Sequence, residues 1–236
     1  MGGTFGRKRV YGAVGTIGVA AILVMTAVPA GAAVVLTSNF SGYGASPGPA
    51  STTTASYTVP KVVCHAGENS GVDAQVQLYG TTKAESAGAG VRLKCVKGVQ
   101  TYQATYLLGG VLTFPALTVR AGDKIKETVA QAAPKTTLTI DDLSTHKTVT
   151  KTGPGASDMF ASVGVNSIPV STTNSTMQNV PDFGTLSFSA ALVNGAKIGT
   201  FGPTQWERAD ASHHVEITTS VISGGSNFTT TFKRST

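Results

Sequence analysis

Apolar and polar residues alternate with a period of two along most of the chain beyond residue 57. Val72, Ala74, Val76 and Leu78 would share one face of an extended segment, and Asp73, Gln75, Gln77 and Tyr79 the other. The same alternation returns in Val91, Leu93 and Cys95, in Leu138 and Ile140, in Leu186, Phe188 and Ala190, and in Val215 and Ile217. Short alternating runs cut by Gly, Pro, Asn or Asp predict half-buried antiparallel strands. Abundant threonine suits such pleated surfaces. Gly122-Asp123 reads as a turn feeding the strand that starts at Lys124, and Asp141 to His146 reads as a hairpin loop. No window after residue 33 carries a helical period. The pattern therefore predicts a single all-β domain over residues 57–236, an antiparallel sandwich or barrel. Residues 33–56, rich in Ser, Thr, Gly and Pro, read as an N-terminal arm, and Ser171 to Asn179 as an exposed loop.

Composition narrows the function classes. Charged residues make up 13% of the 236, about half the usual ~25%, which excludes a charge-driven disordered chain and a coiled coil. The 18 basic residues exceed the 12 acidic ones by six, but the only dense basic run is Arg7-Lys8-Arg9. An apolar stretch from Val10 to Val28 follows it, then Pro29 and the small residues Ala30 to Ala33. These are the parts of a secretory signal peptide spanning residues 1–32, cleaved after Ala32. A retained membrane anchor is the alternative, since the run approaches the ~20 residues needed to span. Cleavage would leave 15 basic against 12 acidic residues, a net of +3. These charges are scattered, so no nucleic-acid partner is expected. The expected product is a secreted, extracellular monomer, in contact with a membrane only through an uncleaved leader.

Two cysteines, Cys64 and Cys95, lie 31 positions apart. In an exported chain an even pair is most simply a disulfide, and a loop of this size would contribute roughly 3 to 4 kcal/mol. A metal site using Cys64 and His65 is the alternative, but no ligand spacing supports it; no metal or cofactor is expected. His213 and His214 open an alternating run, so their rings should point to opposite faces, one of them semi-buried. Asp141, Asp142 and Asp158 lie in turn-like segments, where aspartate serves local backbone hydrogen bonds. No Gly-x-Ser-x-Gly elbow accompanies His65, His146, His213 or His214.

The order of the motifs resembles a known family. Ser38-Asn39-Phe40-Ser41-Gly42-Tyr43, followed by Tyr57-Thr58-Val59-Pro60 and Cys64, resembles the opening of the glutamic peptidases (eqolisins), with Ser-Asn-Trp-Ser-Gly and Trp-Thr-Val-Pro before a cysteine. Ala121 to Ile125, Pro181 to Phe188 and Ser223 to Phe232 continue the likeness in the same order. The resemblance implies an all-β fold, a two-sheet antiparallel β-sandwich of concanavalin-like (jelly-roll) type whose concave sheet holds a peptide groove, and secreted endopeptidase activity at acid pH. It also implies a glutamate acting as general base on water, and a glutamine stabilising the oxyanion.

Neither residue stands at its matching position. Tyr79-Gly80 runs without a gap into Glu85-Ser86-Ala87-Gly88, which places Ser86 at the glutamine. Ala161-Ser162-Val163 places Ser162 at the glutamate. A hydroxyl is no general base at acid or neutral pH, and losing that function costs ~10²–10⁴-fold in rate. Positions that are tryptophan in the family pattern read Phe40, Tyr57, Asp73, Thr105 and Val163, and an acidic position reads Leu107. The resemblance thus implies a groove bearing Asp73, Tyr79, Thr105 and Val163. The expected function is catalytically silent binding of a peptide, glycan or cell-surface partner. The alternative is an active acid endopeptidase whose dyad has moved to Glu85, Gln77, Gln103 or Glu127.

Overall fold

The structure is a computed structural model that describes residues 33–80, 82, 85–155, 160–171 and 174–235. The expected signal peptide and Asp158 lie outside the described residues. Among the described residues, eighteen strands carry the fold. In chain order they are β1 (Val34–Thr37), β2 (Phe40–Ala45), β3 (Thr52–Thr58), β4 (Ser70–Tyr79), β5 (Ser86–Val96) and β6 (Val99–Leu108). The middle of the chain forms β7 (Val111–Thr113), β8 (Lys124–Ala132), β9 (Lys135–Asp142), β10 (Lys147–Pro154), β11 (Phe160–Ser167) and β12 (Pro169–Ser171). The last six are β13 (Asn174–Met177), β14 (Thr185–Val193), β15 (Ala196–Lys197), β16 (Thr204–Ala209), β17 (Val215–Thr219) and β18 (Phe228–Phe232).

Hydrogen bonding runs unbroken along β10-β9-β8-β3-β14-β18-β17-β16-β2-β11-β4-β5-β6-β7, with β1 beside β16 and β15 beside β14. The sheet doubles back on itself: β3, β8 and β9 pack against β4, β5 and β11. The result is the predicted all-β sandwich. Its core is filled by the inward members of the alternating runs, among them Val76, Leu78, Val91, Leu93, Leu138 and Ile140, all fully buried. Burying such side chains is the main favourable term, each worth ~1.5–3 kcal/mol. The disulfide between Cys64 and Cys95 forms as expected, with Cα atoms 5.6 Å apart. Both predicted turns are present. Gly122 takes the left-handed φ of +92°, Asp123 Oδ2 accepts from the Arg120 amide, and Asp142 Oδ1 accepts from the amides of Ser144 and Thr145.

Four expectations are corrected. The segment 33–56 is no arm: it supplies β1, β2 and most of β3, and Thr53, Ala55 and Tyr57 point into the core. Hydroxyl-rich composition misleads there because threonine is at home in a strand. Ser171 to Asn179 is not simply a loop, since it contains the last residue of β12 and all of β13, which pair with each other. The alternation through Ala190 breaks at a bulge between Ser189 and Leu192; Ala190 takes φ +49° and Ala191 and Val193 turn inward instead. Finally, His213 and His214 precede β17 in a turn and both are exposed, with His214 Nδ1 3.1 Å from Asp210 Oδ2.

Candidate functional site

The site grows from the outer face of β4. Its inward residues are sealed in the core, so Asp73, Gln75, Gln77 and Tyr79 face away from the second sheet. Register then decides their company: Tyr79 lies opposite Ser86 on β5 and Phe160 on β11, and Gln77 lies opposite Gly88 and Ser162. Ser86 and Ser162 therefore share one face with Gln77 and Tyr79. Together with Phe40 and Trp206 they line a hollow of about 350 Å³. A second hollow, about 320 Å³, adjoins it and is also lined by Tyr79 and Trp206, with Phe160 on its wall. Tyr79 and Phe160 stack at 5.6 Å.

Glycine makes the floor. A Cβ on Gly42 would stand 2.3 Å from the Val163 carbonyl oxygen, and one on Gly164 2.2 Å from that of Ser41. Side chains at either position would push β2 and β11 apart. Gly44 leaves room for the Trp206 indole, whose Nε1 would lie 3.4 Å from a Cβ there.

None of the described residues lining the hollow is acidic, basic or histidine. Burial raises the Tyr79 hydroxyl above its ordinary pKa, so it stays neutral. Gln77, Ser86 and Ser162 make no hydrogen bond through their side chains within the described protein. The Asn166 carboxamide nitrogen is buried at the same floor without a partner. Ser86 and Ser162 stand on strands either side of β4, two strand spacings apart and offset by two residues along it, roughly 12 Å between their backbones. Long side chains could meet across that distance; two serine hydroxyls cannot. No histidine approaches either serine in the hollow, which removes a Ser/His nucleophile there.

The other candidates lie elsewhere. Asp73 is on the outer face but further along β4, and Arg92 Nε and Nη2 both donate to it at 2.8 Å. Thr105 lies beside Gly90 on that face and is buried. Val163 is not in the groove: it faces the inter-sheet core and is fully buried, because its neighbour Ser162 takes the outer face. Glu127 is likewise on the wrong side. It projects from β8 into the core, fully buried, where its Oε1 accepts from the Tyr57 hydroxyl and its Oε2 has no partner. Burial pushes its carboxyl well above the carboxylate range, against the opposing pull of the Tyr57 hydrogen bond. Glu85 is held in the β4–β5 turn, accepting from the Thr82 amide at 2.9 Å. Gln103 faces outward on β6 and is exposed. Of the relocated candidates, only Gln77 is brought to the hollow. Among the described residues no three metal-binding side chains cluster.

Sequence reasoning missed Trp206, Phe160, Asn39 and Asn166, all of which border the two hollows. The glycines at 42, 44 and 164 were the available signal, since close-approaching backbone marks where a groove floor can form.

A sandwich with a polar hollow on the outer face of one sheet defines the class, and comparison with known proteins gives the family. The model of the Peptidase A4 family matches residues 38–232. The chain belongs to the Peptidase A4 (eqolisin) family. No curated protein matches it by sequence. Among solved structures, it is similar to scytalido-glutamic peptidase bound to a transition-state analogue inhibitor, with a TM-score of 0.72 and 18% identity over 83% of this chain and 98% of that one. It is also similar to SCP-B, an eqolisin peptidase in complex with the tripeptide Ala-Ile-His, with a TM-score of 0.68 and 17% identity over the same shares.

Proposed function

We propose that this member of the family is secreted and binds a ligand in the groove without hydrolysing it. One observation carries the reading: at the two positions where the family pattern needs a carboxylate and a carboxamide stand Ser86 and Ser162. The described lining of the hollow between them contains no acid that could act as base. Water attack on an amide without a positioned base forfeits ~10²–10⁴-fold. The disulfide and the leader-like first 32 residues support secretion.

The test is incubation of the purified protein with denatured protein substrates from acid to neutral pH. No cleavage is expected. Cleavage abolished by Gln77→Ala or Glu85→Ala would overturn the reading in favour of an acid endopeptidase with a relocated dyad. The double substitution Ser86→Gln with Ser162→Glu provides a positive control, because it returns the long side chains that the family pattern has at those positions. It is expected to raise acid cleavage above the parent.

A further inference from the structure

We infer that the groove's ligand is a neutral, polyhydroxylated one: an oligosaccharide of uncharged sugars lying along Tyr79, Phe160 and Trp206. This rests on the non-hydrolytic binding reading above and goes beyond it by naming the ligand class. Three features of the two hollows point the same way.

The first is the character of the polar groups. Gln77, Ser86, Ser162 and Asn166 present hydroxyls and carboxamides that have no partner within the described protein. Each such group can both donate and accept, which matches sugar hydroxyls that also do both. The acids and cations nearby on the same face are already satisfied by each other, as in Asp73 with Arg92. The second is the absence of formal charge in the described lining. A site for an anionic sugar or a charged side chain would have paired it with Arg, Lys, Asp or Glu. The third is the aromatic wall. Flat rings cover the apolar C–H face of a pyranose, and the stacked Tyr79 and Phe160 offer such a surface beside Trp206.

An extended peptide fits less well. A strand-like peptide gains affinity from main-chain hydrogen bonds to an unpaired sheet edge. The floor strands β2, β11, β4 and β5 are each paired on both sides.

Trp206 is the only tryptophan in the chain and lines both hollows, so its emission reports occupancy directly. The experiment titrates the purified protein with tetrasaccharides of glucose, mannose and N-acetylglucosamine, and in parallel with a peptide digest of casein. A saturable change in Trp206 emission is expected with at least one of the tetrasaccharides. The affinity should be unchanged in about 1 M NaCl, because no ion pair is involved. Phe160→Ala, at an exposed ring, should weaken it about tenfold. Gln77→Ala should weaken it about three- to tenfold, with melting temperatures equal to the parent in both variants. Three results overturn the inference: silence with all three sugars, a response to casein peptides alone, or sugar binding that salt abolishes. A peptide-only response leaves the non-hydrolytic reading standing, whereas cleavage of the casein peptides overturns that reading itself.

Discussion

The two faces of β4 use polar chemistry in opposite ways. Toward the second sheet, Val72, Ala74, Val76 and Leu78 are fully buried, and the acid Glu127, which projects from β8 into that core, is sealed in with Tyr57. On the outer face Gln77 and its serine neighbours are unpaired. The acids of this molecule serve structure. Glu216 binds Arg208 at 2.8 Å, Asp73 binds Arg92, and Asp142 caps a hairpin turn. Where hydrolysis would need a base, the described residues provide hydroxyls and amides. Polar groups in the core and at its margins should therefore matter greatly to stability, and those in the groove hardly at all.

The largest expected effect is at the buried ion pair. Glu216→Ala leaves the Arg208 guanidinium buried, with Nη1 already lacking a partner, and should cost about 3–5 kcal/mol by urea denaturation. Next is the pH dependence set by Glu127. Its carboxyl is raised in the folded state, so its contribution is fully present below the ordinary carboxylate pKa and is lost as pH rises through the folded value. The urea midpoint should fall from acid toward neutral pH, by no more than about 1.4 kcal/mol of stability per pH unit from this one proton. Glu127→Gln should flatten that slope. Tyr57→Phe removes the hydrogen bond to Glu127 and should cost about 1–3 kcal/mol. The smallest effects belong to the groove: Ser86→Ala, Ser162→Ala and Gln77→Ala should each change stability by no more than about 0.5 kcal/mol. A loss above about 2 kcal/mol at Ser162 would break the contrast between the faces.

Much of this architecture is legible along the chain because strand alternation and turn chemistry are local. The run from Val72 to Tyr79 shows both faces of β4 from residue type alone, and Asp142 and Gly122 sit where their side-chain and backbone preferences place them. The expectation at Val163 came from the resemblance, which placed it in the groove, and register turns it to the core. Glu127, a candidate for the relocated dyad, is buried because Ile125, Glu127 and Val129 share the inward face. Ala190 escapes the alternation through a bulge that no periodic pattern announces.

What the sequence determined by itself is the strand grammar and the pairing of Cys64 with Cys95, together with the order of motifs that led us to propose Ser86 and Ser162 as replacements for the family's glutamine and glutamate. These are matters of residue type and order. Only the tertiary structure decided that Trp206 on β16, Phe160 on β11 and Tyr79 on β4 would meet around those serines. The physical reason is that strands neighbouring in the sheet are far apart in the chain: β16 pairs with β2, and β2 with β11. A side chain's company across the sheet depends on a register that no short stretch of sequence contains.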